Sequence, residues 1–581
     1  MYPFLDSTRH HNTNAFSGNH IPEHIGSFQN LRYLNLSGLD FVGGIPYELG
    51  NLSKLEYLDL SGNCFDGTIP SQLGKLTSLK YLDLSDNHYF DGEIPYQLGN
   101  LSQLRYLDLE ETSLSGTIPY QIGNLSLLRY LDLDQTSLSG AIPFQSGSNF
   151  STSLSILDLS DNMLTSSTFQ LFNLHSLDLS ENLLEAPIPD EFGKVMNSLE
   201  VLFLDSNTLH SEIPAFLGNI CTLQELHMDN SGLCGEISTF TQNSSWCNRH
   251  VFQILSLPNN RITGVLPDLS IFTSLRFLDL SNNQLTGEIP KSIGLLCELQ
   301  YLHLDGNYLE GDIIGSHLTN LSKLEDLHFS DNSLSLKFGT TWLPPFQIFN
   351  LGLASCNLGS SFPSWLQTQL NGSDAGIDDF ECVLLNPENL VKSIDLSSND
   401  LTGEVPKEVG YLRGLVSLNL SRNNLNGEIP PGIGNLNSLD FLDLSRNHLS
   451  GKIPSTLSKI DGLGKLDLSN NDLSGKIPWE GHLQTFDASS FEENADLCGE
   501  PLNKSCPGDD IMLKPQRPTG DDSVFYEALY MSMGLGFFAG FWGLLGSLLL
   551  WQPWRIAYVR FLNRLTDNTF VMIGVNIGKV P

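Results

Sequence analysis

Basic residues are scarce in this sequence, and their scarcity excludes one large class of function. The 581 residues include 30 Lys and Arg against 66 Asp and Glu, which gives a formal net charge of −36. Binding to nucleic-acid phosphates needs a basic surface, so nucleic acid is excluded as a partner. The charge is also uneven, because four bases stand against one acid after Glu527. This asymmetry suggests that the two parts of the chain lie in different compartments.

The sequence also lacks the signatures of an enzyme. It contains no phosphate-cradling P-loop and none of the ordered motifs of a protein kinase. Aspartates are numerous, but they recur once per repeat and do not form a pair in one closed pocket, as a glycosidase would need. We therefore expect neither enzyme activity nor a cofactor.

The amino-terminal residues lack two features of a complete secreted protein. The stretch MYPFLDSTRHHNTNAFSG has no apolar signal-peptide core, and no cysteine pair precedes the first full repeat. Residues 1–30 hold only a partial repeat, and an uncapped solenoid exposes its core. We expect this region to be truncated, with its cap missing.

What the chain does contain is one phrase, LxxLxLxxNxLxGxIPxxLGNLxx, repeated with a period near 24. Eighteen copies are recognisable, fourteen within 31–369 and four within 391–486. One copy cannot bury its leucines, so the copies must stack into a solenoid. LxxLxL alternates as a short strand should. The ninth-place Asn, present in 13 of 18 copies, would satisfy backbone groups where the chain leaves the strand.

The phrase LxGxIPxxLGNL resembles the plant-specific class of leucine-rich repeats. This resemblance implies an α/β-type leucine-rich-repeat solenoid, a right-handed superhelix with a parallel β-sheet on its concave face and an irregular 3-10 convex side. SSFPSWLQTQ and LVKSIDLSSNDLTGE further resemble plant receptor-like proteins, especially the group of the tomato receptors for ethylene-inducing xylanase. In that group an island precedes the last four repeats, so 370–390 is interpreted as a shortened island.

Two adjacent copies, LRYLDLEET and LRYLDLDQT, depart together from the usual phrase. Alternation places the third, fifth, seventh and eighth residues of each copy on the concave side. One interpretation is a tandem duplication that shares one deviation. The other is a polar, acidic patch rimmed by tyrosines and suited to a basic peptide or protein surface. The predicted ligand contacts here are Tyr106, Glu110, Glu111, Tyr130, Asp134 and Gln135.

A second concave patch is indicated between the copies at Leu199 and Leu324, because most of them lack the usual fifth-place Asp. Phe203 and His227 are its predicted ligand contacts, and the same place holds His303 and His328 further on. Three histidines would make the patch sensitive to pH. Their irregular spacing, one per copy, argues against a metal site.

A membrane segment is predicted at 529–551, where 23 residues carry no charge. The acidic linker 509–528 precedes it and the basic tail 552–581 follows it. The positive-inside rule then predicts a single-pass type I plasma-membrane protein with its repeats outside and its carboxy terminus in the cytoplasm. The tail is too short for a kinase domain, so signalling must come from a partner. Small residues predicted to let another helix approach are Gly536, Ala539, Gly540 and Gly543.

Cysteines and glycosylation sequons fit an extracellular setting. Residues 487–508 resemble the family's carboxy-terminal cap, which implies a disulfide between Cys498 and Cys506. Cys234 and Cys247 bracket an expanded copy and are candidates for a second bond, although nine cysteines leave the connectivity open. Glycans at two fifth-place asparagines, Asn35 and Asn419, would obstruct the concave face near its ends. The predicted glycosylation sites are Asn35, Asn51, Asn100, Asn124, Asn149, Asn243, Asn320, Asn371, Asn419 and Asn503.

The order of these segments is similar to that of plant receptor-like proteins. The resemblance implies a cell-surface immune receptor that binds a microbial protein or peptide. It also implies pairing with an adaptor receptor kinase through the membrane segment and recruitment of a co-receptor kinase by the last four repeats. The alternatives are a developmental peptide co-receptor, a non-functional truncated copy, and a secreted inhibitor of a wall-degrading enzyme, against which the membrane segment argues.

Overall fold

The computed structural model describes residues 18–143, 153–166, 174–185, 196–239, 246–339, 342–363, 365–366 and 391–507. The chain divides into two units, Met1–Cys506 and Pro507–Pro581, and every element below belongs to the first. The predicted island, membrane segment and tail lie outside the described residues. Within the described ranges, no helix has the length and apolar character needed to cross a bilayer.

Eighteen three-residue strands form one parallel sheet, which we call the main sheet. Each strand begins two residues after the start of one predicted copy, and equivalent places pair across it, as Leu58 pairs with Leu82. The predicted leucine-rich-repeat solenoid with a parallel sheet is therefore confirmed. The strands are Tyr33–Asn35, Tyr57–Asp59, Tyr81–Asp83, Tyr106–Asp108, Tyr130–Asp132, Ile156–Asp158, Ser176–Asp178, Val201–Phe203, Glu225–His227, Ile254–Ser256, Phe277–Asp279, Tyr301–His303, Asp326–His328, Asn350–Gly352, Ser393–Asp395, Ser417–Asn419, Phe441–Asp443 and Lys465–Asp467.

The main sheet continues across the interruption in the repeat pattern. Leu351 pairs directly with Ile394, 43 residues further on, where the usual step is 24. The two predicted blocks of repeats therefore share one uninterrupted sheet.

Leucines fill the interior, as the alternating pattern requires. Leu79, Leu82 and Leu84 of one copy have no exposed surface. A row of phenylalanines lies behind them, with Phe65 stacked 6.2 Å from both Phe41 and Phe90 between ring centroids. Truncating one such leucine to alanine typically costs about 2–5 kcal/mol. The stacked copies thus share one continuous core.

The ninth-place asparagines connect neighbouring copies. The Asn63 amide donates to the carbonyls of Leu36, Leu60 and Ser61, and its oxygen accepts the N–H groups of Leu39 and Phe41. The side chain thereby bonds to backbone groups of two copies at the point where the chain leaves the strand.

Threonine makes fewer of these bonds. Thr112 donates to the Leu109 carbonyl at 2.9 Å, and Thr136 donates to that of Leu133 at 3.2 Å. A hydroxyl has one hydrogen where an amide has two, so these two copies keep the turn with a weaker link to the preceding copy.

Shorter strands and 3-10 helices line the rest of each copy. The 3-10 helices pack closely, because a Cβ on Gly99 would lie 2.3 Å from the Gln121 carbonyl oxygen of the next copy. The shorter strands form four parallel sheets: Val42–Gly43, Cys64–Gly67 and Tyr89–Phe90; Ser115–Gly116, Ser137–Ala141 and Met163–Ser166; Cys234–Glu236, Arg261–Val265, Gln284–Glu288, Tyr308–Ile314 and Ser333–Lys337; Thr402–Glu404, Asn424–Glu428, His448–Gly451, Asp472–Lys476 and Asp496–Cys498. The 3-10 helices are Glu23–Ser27, Tyr47–Asn51, Ser71–Lys75, Tyr96–Asn100, Tyr120–Asn124, Ala215–Asn219, Lys291–Leu295, Lys407–Tyr411, Pro431–Asn435, Ser455–Lys459, Gly481–Thr485 and Ala488–Ser490, with one α-helical turn at Gly315–Leu318.

The carboxy-terminal cap imitates one more copy. Phe491 is fully buried, and Asn494 donates to the carbonyls of Leu468, Phe491 and Glu492 as a ninth-place Asn does. A disulfide joins Cys498 to Cys506, whose Cα atoms lie 5.1 Å apart. The cap therefore covers the last leucines with the same bonds that join the copies.

The suggested pairing of Cys234 with Cys247 is wrong. Cys247 is bonded to Cys221, with 4.8 Å between the Cα atoms, and Cys234 is free. Cys221 and Cys247 both precede the main-sheet strands of their copies, whereas Cys234 follows its strand and lies in a shorter sheet. The two sulfurs that meet are thus on the same side of neighbouring copies.

Candidate ligand-binding surface on the main sheet

Five tyrosines form a continuous stack along the outer face of the main sheet. They occupy the third place of consecutive copies, and the parallel register brings each ring over the next. Ring centroids of successive tyrosines are 4.3–4.4 Å apart, with interplanar angles of 5–14°. We call this stack the tyrosine ladder: Tyr33, Tyr57, Tyr81, Tyr106 and Tyr130.

Aspartates on the same strands hold the ladder in place. The hydroxyls of Tyr81, Tyr106 and Tyr130 donate to carboxylates two residues further along, at 2.8, 2.6 and 2.6 Å. The acceptors are Asp83, Asp108 and Asp132. Burial, followed by the charge of Asp108, raises the pKa of the Tyr106 hydroxyl. The rings are therefore neutral and fixed, so that a ligand would contact them without ordering them first.

Most copies place a serine two residues after this aspartate. The hydroxyls of Ser61 and Ser85 donate to Asp59 and Asp83 at 2.7 and 2.6 Å. In the next two copies an acid takes the place of this serine. Glu110 and Asp134 still offer a backbone N–H to Asp108 and Asp132, but their side chains have no hydrogen to donate. These two copies lose one hydrogen bond each and gain one negative charge each.

The result is an acidic patch made of Asp108, Glu110, Asp132 and Asp134. Burial, and then the charges of Asp132 and Asp83, raise the pKa of Asp108 to about 8. Burial, and then Asp132 and Asp134, raise the pKa of Glu110 to about 7. Both shifts mean that negative charge is costly here.

Within the described residues, no Lys, Arg or His forms a salt bridge with the acidic patch. Ser160 donates to Asp134 at 2.9 Å, but no described residue donates to the Glu110 carboxylate. Elsewhere in the sequence an acid at the seventh place accompanies Phe203, His227 or His303 at the fifth place. An acid at both the fifth and the seventh place is thus particular to the two copies of this patch.

The structure separates the six residues predicted for this region. Tyr106, Tyr130, Glu110 and Asp134 lie together, on the ladder or in the acidic patch. Glu111 and Gln135 lie in the turn after the strand, both with φ of 48°. The Glu111 carboxylate is 3.8 Å from His88 Nε2, and Gln135 donates to Asp134 at 3.2 Å.

In the second patch, Phe203 and His227 stack with their ring centroids 4.5 Å apart. The Nε2 atom of His227 is buried without a hydrogen-bond partner, and burial lowers the pKa of this imidazole to about 4. His227 therefore stays neutral near physiological pH, contrary to the expected pH sensitivity at this position.

Further along, His303 and His328 converge on one carboxylate. Their Nε2 atoms lie 3.0 and 2.9 Å from Asp326 Oδ1. Burial opposes protonation of His303, but the hydrogen bonds that its imidazole donates to Asp279 and Asp326 outweigh burial and raise its pKa to about 9. Asp326, which occupies the third place of its copy, is not among the contacts predicted from the sequence. The signal was LEDLHF, where the usual apolar or aromatic third residue is an acid.

The predicted glycosylation sites differ in how accessible their amides are. Asn35 and Asn419 use theirs within the main sheet, donating to Asp59 at 2.8 Å and to Asp395 at 3.1 Å. Asn149, Asn243 and Asn371 lie outside the described residues. The exposed sites are Asn51, Asn100, Asn124, Asn320 and Asn503.

The fold defines a class of protein, a leucine-rich-repeat domain. The family profile described as "Leucine Rich Repeat" matches 30–52, 78–101, 103–125, 173–195, 274–296, 414–436, 438–460 and 462–481, and a second leucine-rich-repeat profile matches 45–88. The receptor-like protein EIX2 of Solanum lycopersicum is 36% identical over 474 residues, which cover 71% of this chain and 44% of that protein. The receptor-like protein EIX1 of the same species is 46% identical over 104 residues, or 17% of this chain and 10% of that protein. The chain belongs to the plant leucine-rich-repeat receptor-like proteins and spans less than half the length of these relatives.

Solved receptor structures share the fold. The ectodomain of the Arabidopsis receptor kinase HAESA, in complex with the peptide hormone IDA and the co-receptor SERK1, is 33% identical with a TM-score of 0.63. The alignment covers 84% of this chain and 78% of that one. The plant peptide hormone receptor RGFR1, in complex with RGF2, is 27% identical with a TM-score of 0.64, covering 83% and 81%.

Proposed function

We propose that this chain is a cell-surface receptor-like protein whose repeats bind an extracellular basic peptide, or a basic segment of a protein, in plant defence. The carrying observation is the acidic patch beside the tyrosine ladder. A cationic side chain would provide the charge and the donors that Glu110 lacks among the described residues. The fixed tyrosines offer contact area at a small entropic cost.

The comparisons support the class of ligand. Both receptor structures described above contain peptide ligands, which favours a peptide or an extended protein segment on this surface. The similarity to the tomato receptor-like proteins favours a microbial elicitor as its source. Glu110 and Asp134, with Tyr106 and Tyr130, are the proposed contacts.

A developmental peptide co-receptor is the second candidate. Its support is the similarity to HAESA, which was solved with a peptide hormone. The two candidates share the acidic patch and differ in the source of the peptide. Microbial extracts and synthetic endogenous peptides, applied separately to cells that express the chain, distinguish them by which one triggers signalling.

Signalling through partners is the second half of the proposal. The uncharged stretch 529–551 supports a single-pass type I arrangement in the plasma membrane. Gly536, Ala539, Gly540 and Gly543 would pair with the membrane helix of an adaptor receptor kinase. The last four repeats would recruit a co-receptor kinase. The complex of HAESA with SERK1 supports a co-receptor of this general kind.

Binding is tested with the full chain in detergent and two labelled peptides, one of alternating Lys and Ser and one of alternating Glu and Ser. The double variant Glu110→Ser and Asp134→Ser restores the residue that most copies carry at this place. It should weaken binding of the basic peptide at least about tenfold, or 1.4 kcal/mol. The control Asp472→Ser removes an exposed carboxylate away from the main sheet and should change the affinity less than about twofold.

Equal loss in the control and the double variant would mean that net charge alone attracts the peptide, and the proposed surface would be abandoned. Wild-type affinity in the double variant would have the same consequence.

The membrane pairing has its own test. Gly536→Leu with Gly540→Leu should abolish co-precipitation of the chain with an adaptor receptor kinase. Gly534→Leu is the control, because it falls on the opposite side of an ideal helix. Undiminished co-precipitation of the double variant would remove these glycines from the proposal and leave the peptide surface unaffected.

A further inference from the structure

Two imidazoles and one carboxylate meet on the main sheet, seven copies beyond the acidic patch. His303 Nε2 and His328 Nε2 approach the same atom, Asp326 Oδ1, at 3.0 and 2.9 Å. The imidazole centroids are 4.6 Å apart. The two histidines are about a fifth and a third exposed, and Asp326 is almost buried. The open side of this group faces away from the core.

The parallel register of the sheet creates this arrangement. His303 and His328 both occupy the fifth place, so neighbouring strands bring them side by side as a pair. Asp326 lies two residues before His328 and therefore projects from the same face of the strand. All three donor atoms are held by backbone that the buried leucines fix in position.

We propose that His303, Asp326 and His328 bind a divalent transition-metal ion, with Zn²⁺ the expected ion. Imidazole and carboxylate are ordinary zinc ligands, and two nitrogens favour Zn²⁺ over Mg²⁺ or Ca²⁺. Tetrahedral bonds of about 2.0–2.1 Å place neighbouring ligand atoms about 3.3 Å apart. The separations of 3.0 and 2.9 Å between the two nitrogens and Asp326 Oδ1 are a few tenths of an ångström short of that spacing, and all three donor atoms lie within 4.8 Å of one another. The fourth position would hold water or a group from a bound molecule.

Surrounding residues orient the donors as the neighbours of metal ligands commonly do. Asp279 Oδ2 lies 3.5 Å from His303 Nδ1, on the side of the ring away from Asp326. Asn350 donates to the other oxygen of Asp326 at 2.6 Å, which leaves Oδ1 for the two imidazoles. A carboxylate behind a ligating histidine fixes the ring and makes its free nitrogen a better ligand.

Gly352 supplies the room that His328 needs. It occupies the fifth place of the next strand, and a Cβ there would lie 2.7 Å from His328 Nδ1. The aspartate found at this place in many other copies would displace the ring. The glycine therefore belongs to the same arrangement.

The other compact groups of possible ligands in the described part of the chain are less suited. Asp108, Glu110 and Asp132 offer oxygen only, and Asp86, His88 and Glu111 offer one imidazole among exposed carboxylates. Neither group has two nitrogens. The site at His303 is also distinct from the proposed peptide surface, and it does not depend on that proposal.

The test is equilibrium dialysis of the full chain, purified through a tag without histidine, against buffered micromolar Zn²⁺ with metal analysis. We expect one zinc per chain, and visible absorption of a tetrahedral centre when Co²⁺ replaces Zn²⁺. His303→Ala with His328→Ala should lower the affinity at least a hundredfold. Asn350→Ala, which removes an orienting bond, should lower it about tenfold.

Two controls separate a site from general affinity for cations. His448→Ala removes an exposed imidazole that faces one carboxylate at 3.5 Å, and it should leave zinc binding unchanged. Glu110→Ser with Asp134→Ser should also leave it unchanged, which distinguishes this inference from the proposed function. Asp326→Asn keeps the shape of the side chain and should still lose zinc if the double alanine variant fails to fold. Retention of zinc by folded Asp326→Asn, or absence of zinc from the wild-type chain, would overturn the inference.

Discussion

The tyrosine ladder and the histidine pair lie on the same face of one sheet, at the third and the fifth place of their copies, yet charge is arranged in opposite ways around them. In the first five copies tyrosine stacks on tyrosine, and from the second to the fifth of these copies aspartate follows aspartate at the fifth place. Near His303 the residues change from copy to copy, so Asp279, His303, Asp326 and His328 alternate in sign or potential sign. When successive copies carry the same residue at one place, neutral rings stack well but like charges accumulate. When the residue changes from copy to copy, acidic and basic side chains of neighbouring copies can neutralise each other.

The largest expected effect comes from breaking the alternating set. Among the ion pairs of the described residues, Asp326→Ala would leave His303 with Asp279 alone and His328 with no partner. Removing one partner of a largely buried ionic group costs about 3 kcal/mol. Thermal unfolding of wild type and variant measures the loss. Asp312→Ala breaks an exposed bridge to Lys337 and should cost less than about 1 kcal/mol. Equal losses in the two variants would show that alternation adds no stability.

In the acidic patch, where like charges lie side by side, we expect removal of one charge to stabilise the protein. Asp108 has a folded-state pKa of about 8 against an ordinary 3.8, so the folded chain keeps a proton that the unfolded chain releases between about pH 4 and 8. The free energy of unfolding therefore decreases as the pH rises through this window, because the charged form of Asp108 is less favourable in the folded chain than in the unfolded chain. Asp108→Asn should remove the penalty and stabilise the protein by about 2 kcal/mol at pH 8, with little effect at pH 4.

The measurement for Asp108→Asn is the unfolding midpoint at several pH values. Asp59→Asn is the matched control, since Ser61 donates to Asp59 and no acid follows it on the strand. A stabilisation that does not depend on pH would contradict the account of the acidic patch.

A smaller effect is expected from restoring the serine hydroxyl that most copies have at the place of Glu110. Glu110→Ser should stabilise the chain more than Glu110→Ala, by about 1 kcal/mol, because serine returns a donor to Asp108 as Ser85 does for Asp83. Both variants remove the same charge, so their difference measures the hydrogen bond alone. Indistinguishable unfolding midpoints of Glu110→Ser and Glu110→Ala would show that a hydrogen bond from serine to Asp108 adds no stability.

The smallest effect concerns the turn. Thr112→Asn should add bonds to backbone carbonyls of its own and the preceding copy, as Asn63 makes, and should stabilise by about 0.5–1 kcal/mol. Thr208→Asn, one place beyond an existing ninth-place Asn, is the control and should not stabilise. Stabilisation only at Thr112 would show that this copy carries a weaker turn than its neighbours.

The sequence predicted the fold well, because one period repeated eighteen times determines where every main-sheet strand begins. The cap was understood only in part, since Phe491 and Asn494 continue the pattern without the leucines that make a copy recognisable. The partner of Cys247 also escaped prediction, because the side of the solenoid on which a cysteine lies depends on the path of an expanded copy.

The candidate site was harder to predict than the fold. Tyr106, Tyr130, Glu110 and Asp134 followed from alternation alone. Glu111 and Gln135 were expected beside them, but the strands end three residues earlier and the backbone is left-handed at these two residues. The neutrality of His227 and the convergence on Asp326 depend on burial and on contacts between strands, which a single copy does not contain.

The continuity of the main sheet at Leu351 and Ile394 has a practical side. Asn399 reaches back 46 residues to the Leu353 carbonyl, where Asn423 reaches 27 to Leu396, and makes the same bond. Chain length at this junction can change while every copy on either side keeps its phase. The junction is therefore the natural point at which to insert a reporter or a foreign binding module. Stacking depends on the register of neighbouring copies and not on the number of residues that connect them.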